Sequence, residues 1–170
     1  MIKEIRTPID SATIDSLKIG DVISISGWIY TGRDAVLPKV EEAILNGSIK
    51  DKGINLDGGV IFHTAVSPAG VGPTSSNKKE IEESFAPLSE AGIKLFLGKG
   101  EINKSTIDAI DCNGAVFAVI PPTTALFEDR TKERKVVGWE ELGMEALHSI
   151  YVEGYQAIVA AAHGKSIYDK

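Results

Sequence analysis

Three hydroxyl side chains end a loop rich in glycine and proline, Gly70-Val71-Gly72-Pro73-Thr74-Ser75-Ser76. The loop follows an apolar stretch with strand character and precedes a charged stretch with helical character that begins at Lys78. Loops of this build present backbone N–H groups, hydroxyls and a helix N-terminus to an anion. The twenty residues from Gly58 to Asn77 include no Asp, Glu, Lys or Arg, although 25% of the chain is charged. An uncharged hollow rimmed by lysines suits a small carboxylate or phosphate.

Two other loops combine glycine with a cation, Gly32-Arg33 and Gly98-Lys99-Gly100, and each follows a predicted strand. Loops at the carboxyl ends of parallel strands share one edge of a sheet, so these loops and the hydroxyl loop are expected to converge. If they do, Arg33 offers a two-point fork, and Lys78 and Lys99 act as point charges. Together with the hydroxyls of Thr74 and Ser75, they predict a site for a substrate with two carboxylates.

Each of these elements has a plainer interpretation when it is taken alone. An Arg-Asp pair such as Arg33-Asp34 is most often a local surface interaction, and Gly98-Lys99-Gly100 by itself is more often a turn. Ser75 or Ser76 could simply cap the helix that follows by accepting from its backbone N–H groups. The site hypothesis therefore depends on all three loops occurring in this order.

The elements that must position these loops follow from hydrophobic periodicity. Strand and helix patterns alternate about three times, which predicts an α/β fold with functional loops at the carboxyl ends of the strands. The segment 121–137, with its charge cluster at 128–135, is predicted to be an irregular, solvated excursion. Strands are predicted over 21–29, 58–65, 93–97, 115–120 and 157–161, and helices over 35–45, 77–91 and 105–111.

Length and composition limit how many domains, which partners and which location can be expected for this chain. A chain of 170 residues is expected to form one domain, 1–170. Its net charge of −6 argues against nucleic acid as a partner, and no stretch is apolar for long enough to predict a membrane span. The start, Met1-Ile2-Lys3-Glu4, lacks a signal-peptide core, so we expect a cytoplasmic protein.

The metal-ligating residue types are few. Cys112 is the single cysteine, so this chain alone is not expected to build a disulfide framework or a cysteine-held iron–sulfur site. The histidines His63, His148 and His163 show no ligand spacing, so we expect no metal site in this chain. His63 lies on an apolar strand and is predicted to be a core histidine with satisfied hydrogen bonds.

The chain resembles the β subunit, or C-terminal domain, of the class I (iron–sulfur) fumarate hydratases and the related L-tartrate dehydratases. The resemblance spans nearly the whole sequence in the correct order. It is carried by four stretches: the opening strand and Arg-Asp-Ala turn within 17–35, Gly72-Pro73-Thr74-Ser75-Ser76, Gly98-Lys99-Gly100, and Trp139-Glu140-Glu141-Leu142-Gly143-Met144-Glu145-Ala146.

The resemblance implies a three-layer swivelling β/β/α fold and a heteromeric enzyme. A separate iron–sulfur α subunit would hold a four-iron four-sulfur cluster, and the two chains would form an α2β2 hetero-oligomer. The cluster's open iron would act as a Lewis acid on the substrate hydroxyl and a carboxylate. No cofactor would be bound by this chain alone.

The resemblance also assigns roles to positions of this sequence. Arg33 and Lys99 fall on residues that contact the substrate carboxylates, and Thr74 falls on the proposed catalytic base. A threonine hydroxyl is hardly acidic, so Thr74 would need a partner, which in the family is an Asp of the α portion. Gly72 and Ser75 complete the loop that binds the substrate.

The sequence departs from the family pattern in two places that bear on substrate choice. Lys78 stands where the family usually has an arginine, so the charge is kept but the planar grip is lost. The segment 36–38 has no histidine where the family often carries one. Ser75 replaces the second threonine of the loop and retains its hydroxyl.

These observations lead to a primary hypothesis with two alternatives. The chain is expected to be the β subunit of a hydro-lyase that hydrates fumarate to malate reversibly, active only with its α partner. A dehydratase for L-tartrate or another 2-hydroxy diacid is the alternative within the enzyme class, and Lys78 keeps it open. The alternative from a different class is a non-catalytic anion-binding subunit.

Overall fold

The computed structural model describes residues 2–64, 66–67, 70–71, 82–120 and 130–169. These residues form one large mixed sheet, a small two-stranded hairpin and helices that pack on the large sheet. No helix within this described part of the chain is both long enough and apolar enough to span a bilayer.

Ten strands and five α-helices make up the described structure, with one 3-10 segment between the last long strands. The strands are β1 Ile2–Arg6, β2 Val22–Thr31, β3 Val60–Phe62, β4 Val66–Ser67, β5 Gly70–Val71, β6 Leu95–Gly98, β7 Val116–Val119, β8 Thr131–Gly138, β9 Leu147–Ala162 and β10 Lys165–Ser166. The helices are α1 Ser11–Ser16, α2 Leu37–Asn46, α3 Ser48–Asp51, α4 Phe85–Glu90 and α5 Lys104–Cys112, and the 3-10 segment is Glu140–Glu145.

Five strands close into a ring. β2, β3, β6 and β7 are parallel neighbours in that order, and β9 is antiparallel to both β7 and β2. β9 can pair with both because it is 16 residues long. β1 adds to β2 in parallel, while β8 and β10 pair with β9 from outside the ring. The sheet is therefore barrel-like, and its parallel strands all end at the same edge.

Alternation along the strands divides the apolar side chains between two cores, as a period of two requires. In β3, Val60 and Phe62 face the inside of the ring, whereas Ile61 faces the helices. The inner core also receives side chains from β2 and β9, and Ile14 of α1 packs against it. The outer core lies under α2, α4 and α5, and its helix residues include Val40, Ala43, Phe85, Leu88, Ile107 and Ile110.

Helix α2 begins directly after the loop that carries Arg33, and local signals fix its two ends. Pro38 lies in the first turn, where a missing N–H has no consequence. Gly47 ends the helix with φ 81, a left-handed conformation that glycine adopts without steric cost. Val40 and Ala43 bury one face against the sheet. The start of the helix is thereby held at the edge where β2 ends.

The structure confirms the predicted α/β class and most of the predicted elements. β2, β3, β6, β7, α2 and α5 lie within two or three residues of their expected bounds. Residues 77–81 of the predicted 77–91 helix lie outside the described residues, and α4 covers its later part with Pro87 in the first turn. β9 begins ten residues before the predicted start of the last strand.

Five strands were not predicted: β1, β8 and the two-residue strands β4, β5 and β10. The charge cluster at 128–135 was expected to be a solvated loop, and that prediction was wrong from Thr131, where β8 begins. β8 carries charged side chains because most of its residues face solvent and it forms the outer layer on β9. Its backbone hydrogen bonds to β9 therefore decide its conformation more than its side chains do.

We predict that Gly27→Ala destabilises the fold more than Gly20→Ala. Both glycines have positive φ values, 118 and 88, so alanine is strained at either position. An added Cβ at Gly27 would overlap Oγ1 of Thr7, whereas nothing lies within 4 Å of one at Gly20. Urea unfolding should give a loss of about 1 kcal/mol for Gly20→Ala and about 2–4 kcal/mol for Gly27→Ala. Equal losses would show that the close approach of Thr7 is not rigid.

Candidate functional site

The segments that follow β2, β3 and β6 begin at one edge of the sheet. The register pairs Thr31 of β2 with Phe62 of β3, and Phe62 with Leu97 of β6. The loops that follow these strands therefore leave side by side. Neighbouring strands lie ~4.8 Å apart, so the ends of β2 and β6 are separated by about 10 Å. The backbone thus brings the Arg33 loop, the start of the 64–81 segment and Lys99 to a common edge.

The position of Arg33 is fixed by its neighbours in the chain. The Gly32 N–H donates to the Phe62 carbonyl at 3.1 Å, which continues the ladder between β2 and β3 by one residue. The Arg33 carbonyl then accepts from the N–H groups of Val36 and Leu37 at 3.1 and 3.0 Å. A Cβ on Gly32 would lie 2.9 Å from Val36 Cγ1, so the turn requires glycine there. These hydrogen bonds and the close packing at Gly32 therefore fix the backbone position of Arg33.

The Arg33 guanidinium forms an ion pair with Glu145, the last residue of the 3-10 segment. Nη2 of Arg33 lies 3.2 Å from Oε1 of Glu145, and about a third of each side chain is exposed, 32% and 31%. The contact is single rather than two-point. Nε of Arg33 and Oε2 of Glu145 are both buried, and neither has a hydrogen-bond partner among the described residues.

Four buried side-chain polar atoms among the described residues lack a hydrogen-bond partner, and all four lie at this edge. They are Thr31 Oγ1, Arg33 Nε, His63 Nε2 and Glu145 Oε2. A buried polar atom without a partner costs about 1–3 kcal/mol, so most are satisfied in native structures. Their concentration where β2 and β3 end and β9 begins marks the edge as a place that accepts polar groups from outside the described residues.

His63 lies directly after β3 and is 1% exposed. Its Nδ1 lies 3.2 Å from the Leu97 carbonyl, and its ring stacks on Phe85 and Phe96 with centroids 5.1 and 6.3 Å away. Burial lowers the pKa of His63 to about 4, although the hydrogen bond to the Leu97 carbonyl opposes this shift. At neutral pH the ring is uncharged. With Nδ1–H assigned as the donor to Leu97, Nε2 is left as an acceptor.

Lys99 is exposed and follows Gly98, the last residue of β6. A Cβ at Gly98 would lie 3.2 Å from Phe117 Cε1 and 3.7 Å from His63 Nδ1, so the glycine lets the two rings pack close to the strand end. Gly100 has φ 75, which turns the chain back immediately after Lys99. The side chain of Lys99 therefore projects from a short, defined turn.

The remaining predicted site residues lie outside the described residues. They are Gly72, Thr74, Ser75 and Lys78, and their placement stays a prediction. The sequence analysis missed Glu145 as a member of the site, although it noted the segment 139–146 that carries it. His63 is buried as predicted, but the expectation that its hydrogen bonds are satisfied was wrong for Nε2.

The described residues do not supply the ligands of a metal cluster. They contain no group of three or more His, Cys, Asp or Glu side chains placed to hold a metal ion. Cys112 is exposed at the end of α5 and provides a single sulfur. The donor set of this part of the chain therefore does not fit an iron–sulfur cluster, which is typically held by several cysteine thiolates.

A cavity of about 630 Å³ lies elsewhere, between the end of α2, α3 and the 53–57 segment. Its lining includes Ile49, Ile54 and Leu56 but neither Arg33 nor Lys99. It adjoins the amino end of β3, opposite the edge described above. The lining also includes Lys50 and Asp57, so a cation there lies in the same cavity as a carboxylate, and neither belongs to the loops at the strand ends. Cavity size therefore does not locate the site.

Comparison with known proteins matches this chain to a family model and to named relatives that agree with each other. The family model described as "Fumarase C-terminus" matches residues 3–170. The chain is 29% identical over 181 residues to the L(+)-tartrate dehydratase subunit beta of Escherichia coli, covering 98% of this chain and 87% of that protein. It is 30% identical over 155 residues to the subunit of the same name from Shigella boydii, covering 85% and 74%.

A longer relative also matches. The Geobacillus stearothermophilus protein named "Putative fumarate hydratase class I" is 28% identical over 178 residues, which cover 97% of this chain. The chain spans only 33% of that protein's length. The similarity to it therefore concerns one part of a larger polypeptide.

We predict that the buried, uncharged His63 makes the folded protein less stable as the pH is lowered. Because its folded pKa is below the ordinary 6.5, its contribution is complete above pH 6.5 and is lost as the pH falls towards 4. Burial also lowers the pKa of His148. The hydrogen bond to the Ala146 carbonyl opposes this shift, whereas the positive charge of Arg134 adds to it. Wild type should lose about 2 kcal/mol or more between pH 7.5 and pH 5.

Urea unfolding at the two pH values measures this loss. His63→Gln, which can still donate to the Leu97 carbonyl, should remove most of the difference. His163→Gln removes an exposed histidine and should retain it. An unchanged pH dependence in His63→Gln would contradict the assignment of a neutral, buried His63.

Proposed function

The chain belongs to the fumarase C-terminus family, and on that premise we propose that it is the β subunit of a fumarase-type hydro-lyase. The reaction would be the reversible addition of water across fumarate to give malate. The relatives named as hydratase or dehydratase subunits support a lyase of this kind.

The observation that carries this proposal is the shared edge at which Arg33 and Lys99 emerge, about 10 Å apart across two strand spacings. A four-carbon diacid has a carboxylate at each end. Arg33 keeps an unpartnered Nε–H, and a guanidinium can grip a carboxylate at two points. Lys99 adds a mobile point charge for the second carboxylate. The pair of cations thus suits two anions at opposite ends of a small molecule.

The chemical step assigned to this chain is proton transfer at carbon. In the dehydration direction, Thr74 Oγ would take the proton from the carbon next to a carboxylate. The C–H electron pair would form the double bond, and hydroxide would leave with the C–O pair. Arg33, Lys78 and Lys99 would stabilise the charge that develops on the carboxylate. Gly72 would allow close approach of the loop backbone, and Ser75 would supply a second hydroxyl.

A partner subunit completes this proposal. Thr74 needs a base to receive its own hydroxyl proton as it takes the proton from carbon, and a carboxylate on the partner would serve. We propose that the partner α subunit also holds the four-iron four-sulfur cluster, whose chemistry would be to assist departure of the hydroxyl group as a Lewis acid. The assembly would be an α2β2 hetero-oligomer. The sheet is barrel-like, and the helices pack on its outer side through the outer core. This layering supports the swivelling β/β/α arrangement proposed for the domain.

L-tartrate is the second candidate substrate, and the relatives from Escherichia coli and Shigella boydii named L(+)-tartrate dehydratase subunit beta favour it. Lys78 in place of the usual arginine is a further reason to test it, because a lysine holds a carboxylate without a planar fork. Turnover of fumarate and of L-tartrate by the same complex distinguishes the two candidates.

We predict that Lys99→Ala, in the complex with the partner subunit, lowers kcat/KM by about 100-fold because one of the three cations proposed to stabilise the carboxylate charge is lost. Lys165→Ala is the matched control. Lys165 is also exposed, but it pairs with Ala162 at the far end of β9 and should leave kcat/KM unchanged.

Steady-state kinetics with fumarate and L-tartrate, together with thermal melting of each variant, provide the test. Full activity of Lys99→Ala would favour a non-catalytic anion-binding subunit. Equal losses in both variants would point to a general effect of charge on the complex.

A further inference from the structure

The segment 139–146 has no role in the proposed reaction, yet its backbone conformation places the side chain of Glu145 next to Arg33. Trp139 adopts a left-handed conformation with φ 56, and Gly143 has φ 60 and ψ −122. The Ala146 N–H then donates to the Gly143 carbonyl at 3.0 Å, and β9 begins at Leu147. These two unusual residues make a compact 3-10 turn whose last residue is Glu145.

Pairing between strands places Glu145 beside Arg33. His148 of β9 lies opposite Thr31 of β2, so Glu145 lies three residues before that pair and Arg33 two residues after it. Both side chains reach the same edge from antiparallel strands, and Nη2 and Oε1 meet at 3.2 Å. The ion pair is therefore built into the register of the sheet and does not depend on a chance surface contact.

The ion pair uses little of the bonding capacity of either group. A guanidinium has five N–H donors and a carboxylate accepts several hydrogen bonds, but only one contact joins Arg33 to Glu145. Within the part of the chain that the structure describes, Arg33 Nε is buried without an acceptor and Glu145 Oε2 is buried without a donor. Glu145 thus holds one end of the guanidinium while the Nε–H is left for another anion.

We propose that Glu145 is a positioning residue for Arg33, which it orients so that the Nε–H faces the carboxylate of a bound diacid. The inference rests on the proposed function of Arg33 in binding a dicarboxylate. Glu145 does not contact the substrate in this proposal. It fixes the direction of the guanidinium and neutralises part of its charge when no diacid is bound.

Two other roles for Glu145 predict different results. If Glu145 acts only as a nearby negative charge, its removal tightens diacid binding, because a like charge is lost. If it acts only as a structural ion pair, its removal lowers the melting temperature and leaves binding unchanged. A positioning role predicts weaker binding and slower turnover with an unchanged melting temperature.

The test uses the complex of this chain with its partner subunit. Glu145→Ala should lower kcat/KM by about 100-fold, because a misplacement of about 1 Å in a substrate-binding group has an effect of that size. Glu145→Gln keeps an oxygen at the same place and should recover part of the loss. Glu141→Gln is the matched control, since Glu141 is an exposed residue of the same 3-10 segment and should behave as wild type.

A double-mutant cycle isolates the dependence on Arg33. In an Arg33→Ala background, Glu145→Ala should change kcat/KM by less than about 3-fold, because there is no guanidinium left to orient. A full additional loss in that background would overturn the proposal. So would tighter diacid binding in Glu145→Ala or Glu145→Gln.

Calorimetric titration of the same complexes with malate and with L-tartrate separates this inference from the proposed function. Glu145→Ala should weaken binding of the diacid by about 10-fold, and Glu141→Gln should not. If wild type binds a diacid in this way but turns over neither substrate, the hydro-lyase proposal fails and the role of Glu145 stands. If wild type binds neither diacid, both proposals fail.

Discussion

The pairing of β9 with β2 is the constraint on which the site depends. β9 closes the ring of parallel strands, and its register sets Thr31 opposite His148. That single register delivers the 3-10 segment to the edge where the loop carrying Arg33 leaves. A slip of one residue would turn the alternating side chains of β9 to the wrong faces. The inner core, which includes Ile29, Ile150 and Val152, therefore enforces the geometry of the charged groups at the edge.

Several polar groups at this edge are incompletely hydrogen-bonded within the described residues. Thr31, Arg33, His63 and Glu145 each have a buried atom without a partner there, and burial keeps His63 uncharged at neutral pH. In surroundings of low dielectric such atoms interact strongly with whatever ion or dipole reaches them. In a chain of net charge −6, Arg33 and Lys99 thus follow strands that end at the same edge of the sheet. A carboxylate of the proposed diacid would accept from the Arg33 Nε–H, whereas Glu145 Oε2 and His63 Nε2 are acceptors and need a donor.

Much of this arrangement could be predicted from the sequence because the signals are local. Alternating and helical periodicity predicted β2, α2, α5 and β7 near their observed bounds. The parallel order of β2, β3 and β6 then explains why loops far apart in sequence begin at one edge. The resemblance to the family was carried by short contiguous motifs, such as Gly98-Lys99-Gly100, which can likewise be recognised from the local sequence.

What could not be predicted depends on contacts between distant parts of the chain. The charged segment that forms β8 has no strand signal of its own and takes its conformation from hydrogen bonds to β9. The pairing of Arg33 with Glu145 joins residues 112 positions apart and leaves no trace in local spacing. His63 shows the same limit, because its apolar neighbours predicted burial but not the unpartnered Nε2.

A crystal structure of the complex with its partner subunit and a bound diacid tests the central claim most directly. The account predicts that one carboxylate lies within about 3 Å of Arg33 Nε and the other within reach of Lys99 Nζ. Glu145 should keep its contact with Arg33 Nη2 in that complex. A diacid bound away from this edge, or one that displaces Arg33 from Glu145, would contradict the account.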